Sequence, residues 1–410
     1  MATSPSRRKG LIAAAITVLL IGSAVVTLNA LRGAHPASGM NTSLACKQRL
    51  TWVPTDTAAS LRAVVALSQS DGWAVGASST GAVVMRWNGS RWSEVAAPAP
   101  DGASSALDAI AAVSARDIWA VGSAGPHPLI LHWDGAVWSQ VQPAPLTAYS
   151  SQLSALAVVA PDDVWAVGNA WQTASGTPHA IAERWDGHSW KTAPAPTASA
   201  FSSLTAYPGA TDAAVWGLLA TPAGNQRLVR WDGRAWQELP MPDPSAKGLD
   251  LQALAAGPHG AVWAAGSYYS ADAASPWAVP IVEHWDGTAW SRVPTSETES
   301  RGAWLTSLAV GSDGTLWAAG SLRNPNTRLM NAFMEHVTDP KGTTSAFGLY
   351  PSIYTDPHRA DSFGVMGIAA VRGATAAWVV GTTGSVPDSS RPPIDSNLPV
   401  ASGAFMLAYC

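Results

Sequence analysis

The chain has 410 residues, only 13% of them charged, about half the usual share, while 36 Gly and 30 Pro are plentiful. A net charge of -4 provides no source of steering toward phosphate backbones, which argues against nucleic-acid binding. The 21 Trp are the anomaly, and they call for a repeated structural role or a ligand-stacking role.

At the N-terminus, Arg7, Arg8 and Lys9 precede Gly10 to Leu31, a run of 22 residues without charge, closed by Arg32. At about 1.5 Å per residue the run spans about 33 Å, enough for a bilayer core. A cleaved signal has a shorter apolar region and a small-residue cleavage site. An uncleaved transmembrane anchor is therefore expected over residues 10–32, with residues 1–9 as a cytoplasmic tail, residues 33–45 as a tether and everything after Arg32 outside. Ser6-Arg7-Arg8 matches a twin-arginine signal weakly, because Gly10 stands where that motif has a bulky apolar residue.

Beyond the tether the chain repeats. Trp73, Trp119, Trp165, Trp216, Trp263, Trp317 and Trp378 each begin or lie in a short apolar run, at separations of 46, 46, 51, 47, 54 and 61. Twelve residues before the first six stand Leu61, Leu107, Leu153, Leu204, Leu251 and Leu305, with Met366 at that offset in the last. A second mark, Trp-Asp/Asn-Gly-x-x-Trp, recurs at Trp87/Trp92, Trp133/Trp138, Trp185/Trp190, Trp231/Trp236 and Trp285/Trp290. Seven units result, and five keep both marks.

Each unit resolves into four short strands: Leu-x-Ala-apolar-Ala, then the Trp-Ala-Val-Gly run, then a strand ending at the Trp before Asp-Gly, then one holding the last Trp. Asn-Gly and Asp-Gly predict two-residue type I′ hairpins, which place Trp92 opposite Met85 and make Trp87 and Trp92 diagonal neighbours. Units of about 50 residues cannot bury two apolar faces alone and must stack. The expected fold is all-β, a seven-bladed β-propeller with four-stranded blades, preceded by one transmembrane helix.

The seventh unit has only three strands, the last being Ala404 to Tyr409, so Leu50-Thr51-Trp52-Val53-Pro54 is expected to complete it. That places Cys46 and Cys410, the only two cysteines, at the open end of the last hairpin. A disulfide there replaces the missing turn in an oxidising compartment, stabilising by up to about 5 kcal/mol on the chain-entropy account. Two unpaired thiols, or a lipid on Cys46, are the alternatives; against the latter, Ser43 stands where a lipobox has Leu.

The order of a glycine-ended second strand, an aromatic-Asp third strand, a Trp fourth strand and a Pro-rich connector resembles the kelch repeat, the propeller unit also found in galactose-oxidase-like proteins, over residues 46–410. The resemblance implies a propeller. The chain departs from it where paired glycines are usual, since Gly76, Gly122 and Gly168 are followed by Ala, Ser and Asn. WD40 units fit less well, because the Trp-Asp here enters a turn and lacks a Gly-His partner. Ser312-Asp313-Gly314-Thr315 has the wrong spacing for a sialidase Asp-box.

In an up-and-down ring, the second-to-third and fourth-to-first connections share one face. On it fall Trp171, Trp277 and Trp304, outside the Trp repeat, with Tyr268 and Tyr269. Exposed aromatics stack on sugars or pack on apolar partners, and binding residues concentrate on loops; local loop packing is the plainer role. The leading leucines are followed by Arg62, Asp108, Ser154, Thr205, Gln252 and Thr306, with Gly367 in the seventh unit, which predicts a polar rim at the channel mouth or simple solvation with an Arg62–Asp108 ion pair. Arg62, Asp108 and Gln252 are the rim candidates for ligand contact. Arg86, His132, Arg184, Arg230, His284 and His336 precede the third-strand aromatic positions and, spread over six blades, read as links between blades rather than metal ligands.

His-Glu-x-x-His, Gly-x-Ser-x-Gly, Cys-x-x-Cys, phosphate-loop and calcium-loop motifs are all missing from the sequence, so neither cofactor nor metal is expected. A galactose-oxidase-type copper centre would need a Cys-Tyr cross-link, and His127, His179, His188, His259 and His358 show no ligand spacing. Asp101, Asp272, Glu297 and Glu299 leave room for a glycoside-cleaving pair. The sequence thus reads as a membrane-anchored propeller on the extracytoplasmic side that binds a protein or glycan ligand at its loop-rich face without catalysis. The rival reading is a glycan-acting enzyme with its site at the channel mouth.

Overall fold

The structure, a computed structural model, describes residues 51–53, 59–98, 104–196, 200–209, 215–221, 224–243, 248–269, 278–295, 302–323, 330–337, 344–348, 360–386 and 403–409, all within one compact unit, Cys46–Cys410. Their strands form seven four-stranded antiparallel sheets. Six are self-contained blades of four consecutive strands: one, Ala59–Glu94; two, Ser105–Gln140; three, Ser150–Ala193; four, Ala200–Leu239; five, Asp250–Val293; six, Ala303–Gly348. The remaining sheet is composite, with Ala360–Ala370, Ala377–Val386 and Gly403–Tyr409 joined at the edge by Thr51–Val53, Thr51 lying opposite Ala408. First strands of successive blades touch around a ring, and the composite sheet touches blades six and one.

The expected fold class therefore needs correction in its count of blades. Six blades are complete in themselves, and the seventh sheet is not their equivalent but a closure made from the two ends of the propeller segment, which must meet for the ring to have no open edge. No helix among the described residues is long and apolar enough to cross a membrane; the single helical element there is a 3₁₀ turn, Pro258–Gly260. The helix expected over residues 10–32, the tail, the tether, Cys46 and Cys410 lie outside the described residues.

Tryptophans join the blades. The second-strand Trp of one blade packs against the Trp pair of the next: Trp73 lies 4.7 Å from Trp133 and 5.4 Å from Trp138, and Trp119 lies 4.9 Å from Trp185 and 5.3 Å from Trp190. Trp165 meets Trp231 and Trp236, Trp216 meets Trp285 and Trp290, and Trp378 meets Trp87 and Trp92. The edge-on and tilted geometries suit the ring quadrupole. In the six self-contained blades the second-strand indole is also covered from within its own blade, because Arg86, His132, Arg184, Arg230, His284 and His336 each lie directly opposite it, whereas Trp378 of the composite sheet lies opposite Ala408. Arg86 sits 4.9 Å above Trp73 and His132 stacks 4.1 Å from Trp119. Asp71, Asp117 and Asp163 at the start of the same second strand pair with Arg86, His132 and Arg184. This basic column thus chiefly braces single blades instead of bridging between them.

The hairpins also differ from expectation. Trp87 lies directly opposite Trp92, and Met85 opposite Glu94. The loop has four residues, and only Gly89 takes positive φ, at 90°. A two-residue I′ turn is not needed because the Asn or Asp side chain folds back: Asp134 Oδ1 accepts from the amides of Ala136 at 2.8 Å and Val137 at 2.9 Å, an Asx-type turn repeated at Asn88, Asp186, Asp232 and Asp286. These amides hold the carboxyl of Asp286 down to about 2 and those of Asp134, Asp186 and Asp232 below their ordinary value.

A Trp119→Ala variant, at a side chain only 1% exposed, is expected to lose about 3–5 kcal/mol of unfolding free energy in denaturant titration. Val137→Ser, at a 59% exposed position, is expected to leave the midpoint unchanged.

Candidate functional site

Each first strand carries a β-bulge near its start. Leu61 lies opposite Gly76 and Ala63 opposite Val75, leaving Arg62 as the extra residue. Asp108, Ser154, Gln252 and Thr306 occupy the same position in blades two, three, five and six. The glycine opposite the leucine is dictated by this bulge: a Cβ on Gly122 would sit 2.0 Å from the Ala106 carbonyl oxygen, and one on Gly76 1.9 Å from that of Ser60. In blade four the bulge falls at Ser202 and in the composite sheet at Met366, so Phe201 and Val365 take the leading positions assigned above to Leu204 and Met366. The fixed offset of twelve fails there because Trp216 and Trp378 pair with Thr205 and Ala369 across longer first-to-second turns. The ring is thus Arg62, Asp108, Ser154, Ser202, Gln252, Thr306 and Met366.

Several of these side chains fasten neighbouring blades. Arg62 and Asp108 form an ion pair between blades one and two. Ser154 Oγ donates to the Phe201 carbonyl of blade four at 3.3 Å, and Thr306 Oγ1 to the Val365 carbonyl at 2.9 Å. Gln252 donates to Asp250 Oδ2 at 2.8 Å, and Met366 is 46% exposed.

The aromatic candidates fall in two places. Trp171 closes the second strand of blade three, half-buried, and its carbonyl accepts from the Tyr149 amide at 2.8 Å. Tyr149, 60% exposed, and Leu146 project from the connector entering that blade. The sequence reading missed both; the only signal was an aromatic and a leucine in a Pro-rich connector. Tyr268 and Tyr269 end the second strand of blade five. Tyr268 lies under the Arg292 guanidinium, 4.8 Å away, while Tyr269 is 52% exposed and rests on Gly248, where an added Cβ would meet its ring at 2.5 Å. Trp304 is half-buried in the first strand of blade six, opposite Ser321. Trp277 lies outside the described residues, as do Asp101, Asp272, Glu297 and Glu299.

Below this face the third strands carry buried carboxyls. Glu183 accepts from the Ala144 amide in the connector entering blade three, at 2.8 Å. Glu283 takes the same third-strand position in blade five and pairs with Arg292 at 3.3 Å, which in turn holds Asp243 of the entering connector at 2.7 Å. Burial pushes Glu183 up to about 7, against the pull of one amide, and raises Glu283 as well. Among the described residues no three His, Cys, Asp or Glu side chains are grouped to hold a metal.

This geometry defines a β-propeller with its connectors gathered on one face. The protein is similar in fold to YCF48 bound to D1 peptide, at TM-score 0.55 and 14% identity, over 90% of this chain and 99% of that one. It is also similar to the extracellular domain of a hybrid two-component system from B. thetaiotaomicron, at TM-score 0.52 and 11% identity, over 88% of this chain and 40% of that one, so it spans well under half of that protein. No protein-family model and no curated protein matches the chain, and the kelch likeness rests on the repeat marks alone.

Because the folded carboxyl of Glu183 titrates higher than an unfolded one, its contribution to stability is fully present below the unfolded value near 4.5 and is lost as pH rises through about 7. Glu183→Gln, which keeps an acceptor for Ala144, is expected to flatten the fall in thermal midpoint between those two pH values. An unchanged slope would show that the carboxyl does not carry it.

Proposed function

We propose that this protein is a non-catalytic binding or scaffold module whose ligand is a protein docking on the loop-rich face. The observation that carries the reading is the pair Leu146 and Tyr149, both exposed on one connector, where the Tyr149 amide meets the Trp171 carbonyl. A leucine offers nothing to a sugar hydroxyl but packs well on an apolar partner, and exposed Met366 at the rim suits the same use. YCF48, a propeller of similar fold, is described with a bound peptide. An enzymatic reading finds less support: Asp108 is paired with Arg62, and Asp250 accepts from Gln226 and Gln252, so neither carboxyl has the apolar setting of a general acid.

The kelch-like reading of the repeat belongs to this proposal, as does export to the extracytoplasmic side by the basic and apolar residues 1–32. So does a disulfide. What supports it is that Thr51 faces Ala408, while Cys46 stands five residues before Thr51 and Cys410 two residues after Ala408 in the sequence. Peptide mapping without reductant is expected to recover these two cysteines as one linked peptide.

A photo-cross-linking residue at Tyr149 is expected to capture a partner that the same residue at Ser90, on the opposite face, does not. Tyr149→Ser is expected to weaken that partner about tenfold, worth about 1.4 kcal/mol, with the thermal midpoint unchanged. Equal capture at both positions would remove the reading.

A further inference from the structure

The connector entering blade three is fastened to that blade by polar contacts along its length. Ala144 donates its amide to Glu183 at 2.8 Å, Thr192 Oγ1 donates to the Pro145 carbonyl at 3.4 Å, Gln172 Nε2 to the Thr147 carbonyl at 3.4 Å, and Tyr149 its amide to the Trp171 carbonyl at 2.8 Å. Leu146 and Tyr149 stand among these contacts, so whatever loosens the fastening moves the exposed pair. Of the fasteners on blade three only Glu183 titrates, and it is 3% exposed. Among the described residues the Ala144 amide is its one polar partner, and burial and that amide alone act on its proton. The ionisable groups around it are engaged elsewhere or face away. Arg184 and Lys191 alternate to the other side of the sheet, where Asp163 holds Arg184. His132 of blade two is held by Asp117 and stacks on Trp119, and the connector itself brings only Tyr149. Blade five solves the same problem differently. Glu283 lies opposite Arg292, which donates to it at 3.3 Å and to Asp243 of the entering connector at 2.7 Å. The residue opposite Glu183 is Thr192, so blade three fastens its connector through a carboxyl with no counter-ion.

We infer that Glu183 is a proton-operated latch on the connector that carries Leu146 and Tyr149, holding it to blade three while protonated and releasing it when ionised, so that docking of a partner on this connector is favoured by mild acid. A carboxylate buried with one amide and no cation is costly, and lifting the connector lets water reach it. The latched carboxyl titrates at about 7 and a solvated one near 4.5. The raised value means that the latch is at full strength below the lower figure, weakens about tenfold per pH unit between the two, and levels off above the upper one. Glu283 is spared this by Arg292, which neutralises it and ties the connector at the same time. The consequence for docking rests on the function proposed above; the latch itself does not.

The test is hydrogen exchange on the full chain without any partner, each amide's rate referred to its intrinsic rate at that pH. Protection of the Ala144 and Tyr149 amides is expected to fall about tenfold per unit between about pH 5 and 7, while the Val95 amide, bonded to Val84 in blade one, keeps its protection. Glu183→Gln is expected to abolish the fall. Thr192→Arg, at an exposed position, supplies the counter-ion that blade five has and is expected to flatten the fall as well, without disturbing the core. The inference is overturned if protection of Ala144 and Tyr149 does not change over this range, if the fall survives Glu183→Gln, or if Val95 loses protection in step with them, which would mean that the whole propeller loosens. Because exchange is read without a partner, failure of the docking reading leaves this result standing, and a flat profile leaves the docking reading standing.

Discussion

The contact on which the rest of this structure depends is the insertion of a second-strand tryptophan between its own blade's cation or imidazole and the tryptophan pair of the following blade. A four-stranded antiparallel sheet of this size has two apolar faces and too little area to bury them alone. Trp119 shows how the deficit is met: His132 stacks on one side, Trp185 and Trp190 close on the other, and almost nothing of the ring is left to water. Three indoles meet in this way at five interfaces, among them the one where Trp378 of the composite sheet meets Trp87 and Trp92, although there Ala408 takes the place of the cation or imidazole.

A second constraint works at the inner edge. The bulge that ends each leading turn pushes one strand's carbonyl against the next strand's backbone, so only glycine fits opposite it in five blades. The displaced residue is then free to reach sideways, and Ser154 and Thr306 use that reach to donate across to the next blade. Glycine positions and rim chemistry are therefore two consequences of a single backbone irregularity. The outer rim is fastened differently, by Asx turns whose carboxylates are held ionised by amides, an arrangement that needs no cation and suits a chain with few charges.

Function then falls to what the scaffold leaves over. The repeat consumes most of the tryptophans, and the side chains that remain available are those outside the pattern: Leu146 and Tyr149 on a connector and Tyr269 at the end of a long strand. The two faces differ in kind. One offers aliphatic and aromatic groups on connectors, and the other carries the Asx hairpins and a recessed cavity between blades three and four.

By itself the sequence determined the repeat, the four-strand unit and the partnership of the chain's ends, because these follow from periodic spacing and from a unit too small to stand alone. It misjudged whatever depends on an exact count of backbone residues. Leu204 was assigned the leading position held by Phe201, since a longer turn shifts the offset without leaving a mark in composition, and the hairpin was expected to need two residues with positive φ when an Asp side chain could close it with one. Tertiary structure alone decided that the basic column braces blades from within and that Glu183 is buried against a connector amide. Each of those depends on what a neighbouring blade brings within reach, and distance between blades is not written in the spacing of residues along one of them.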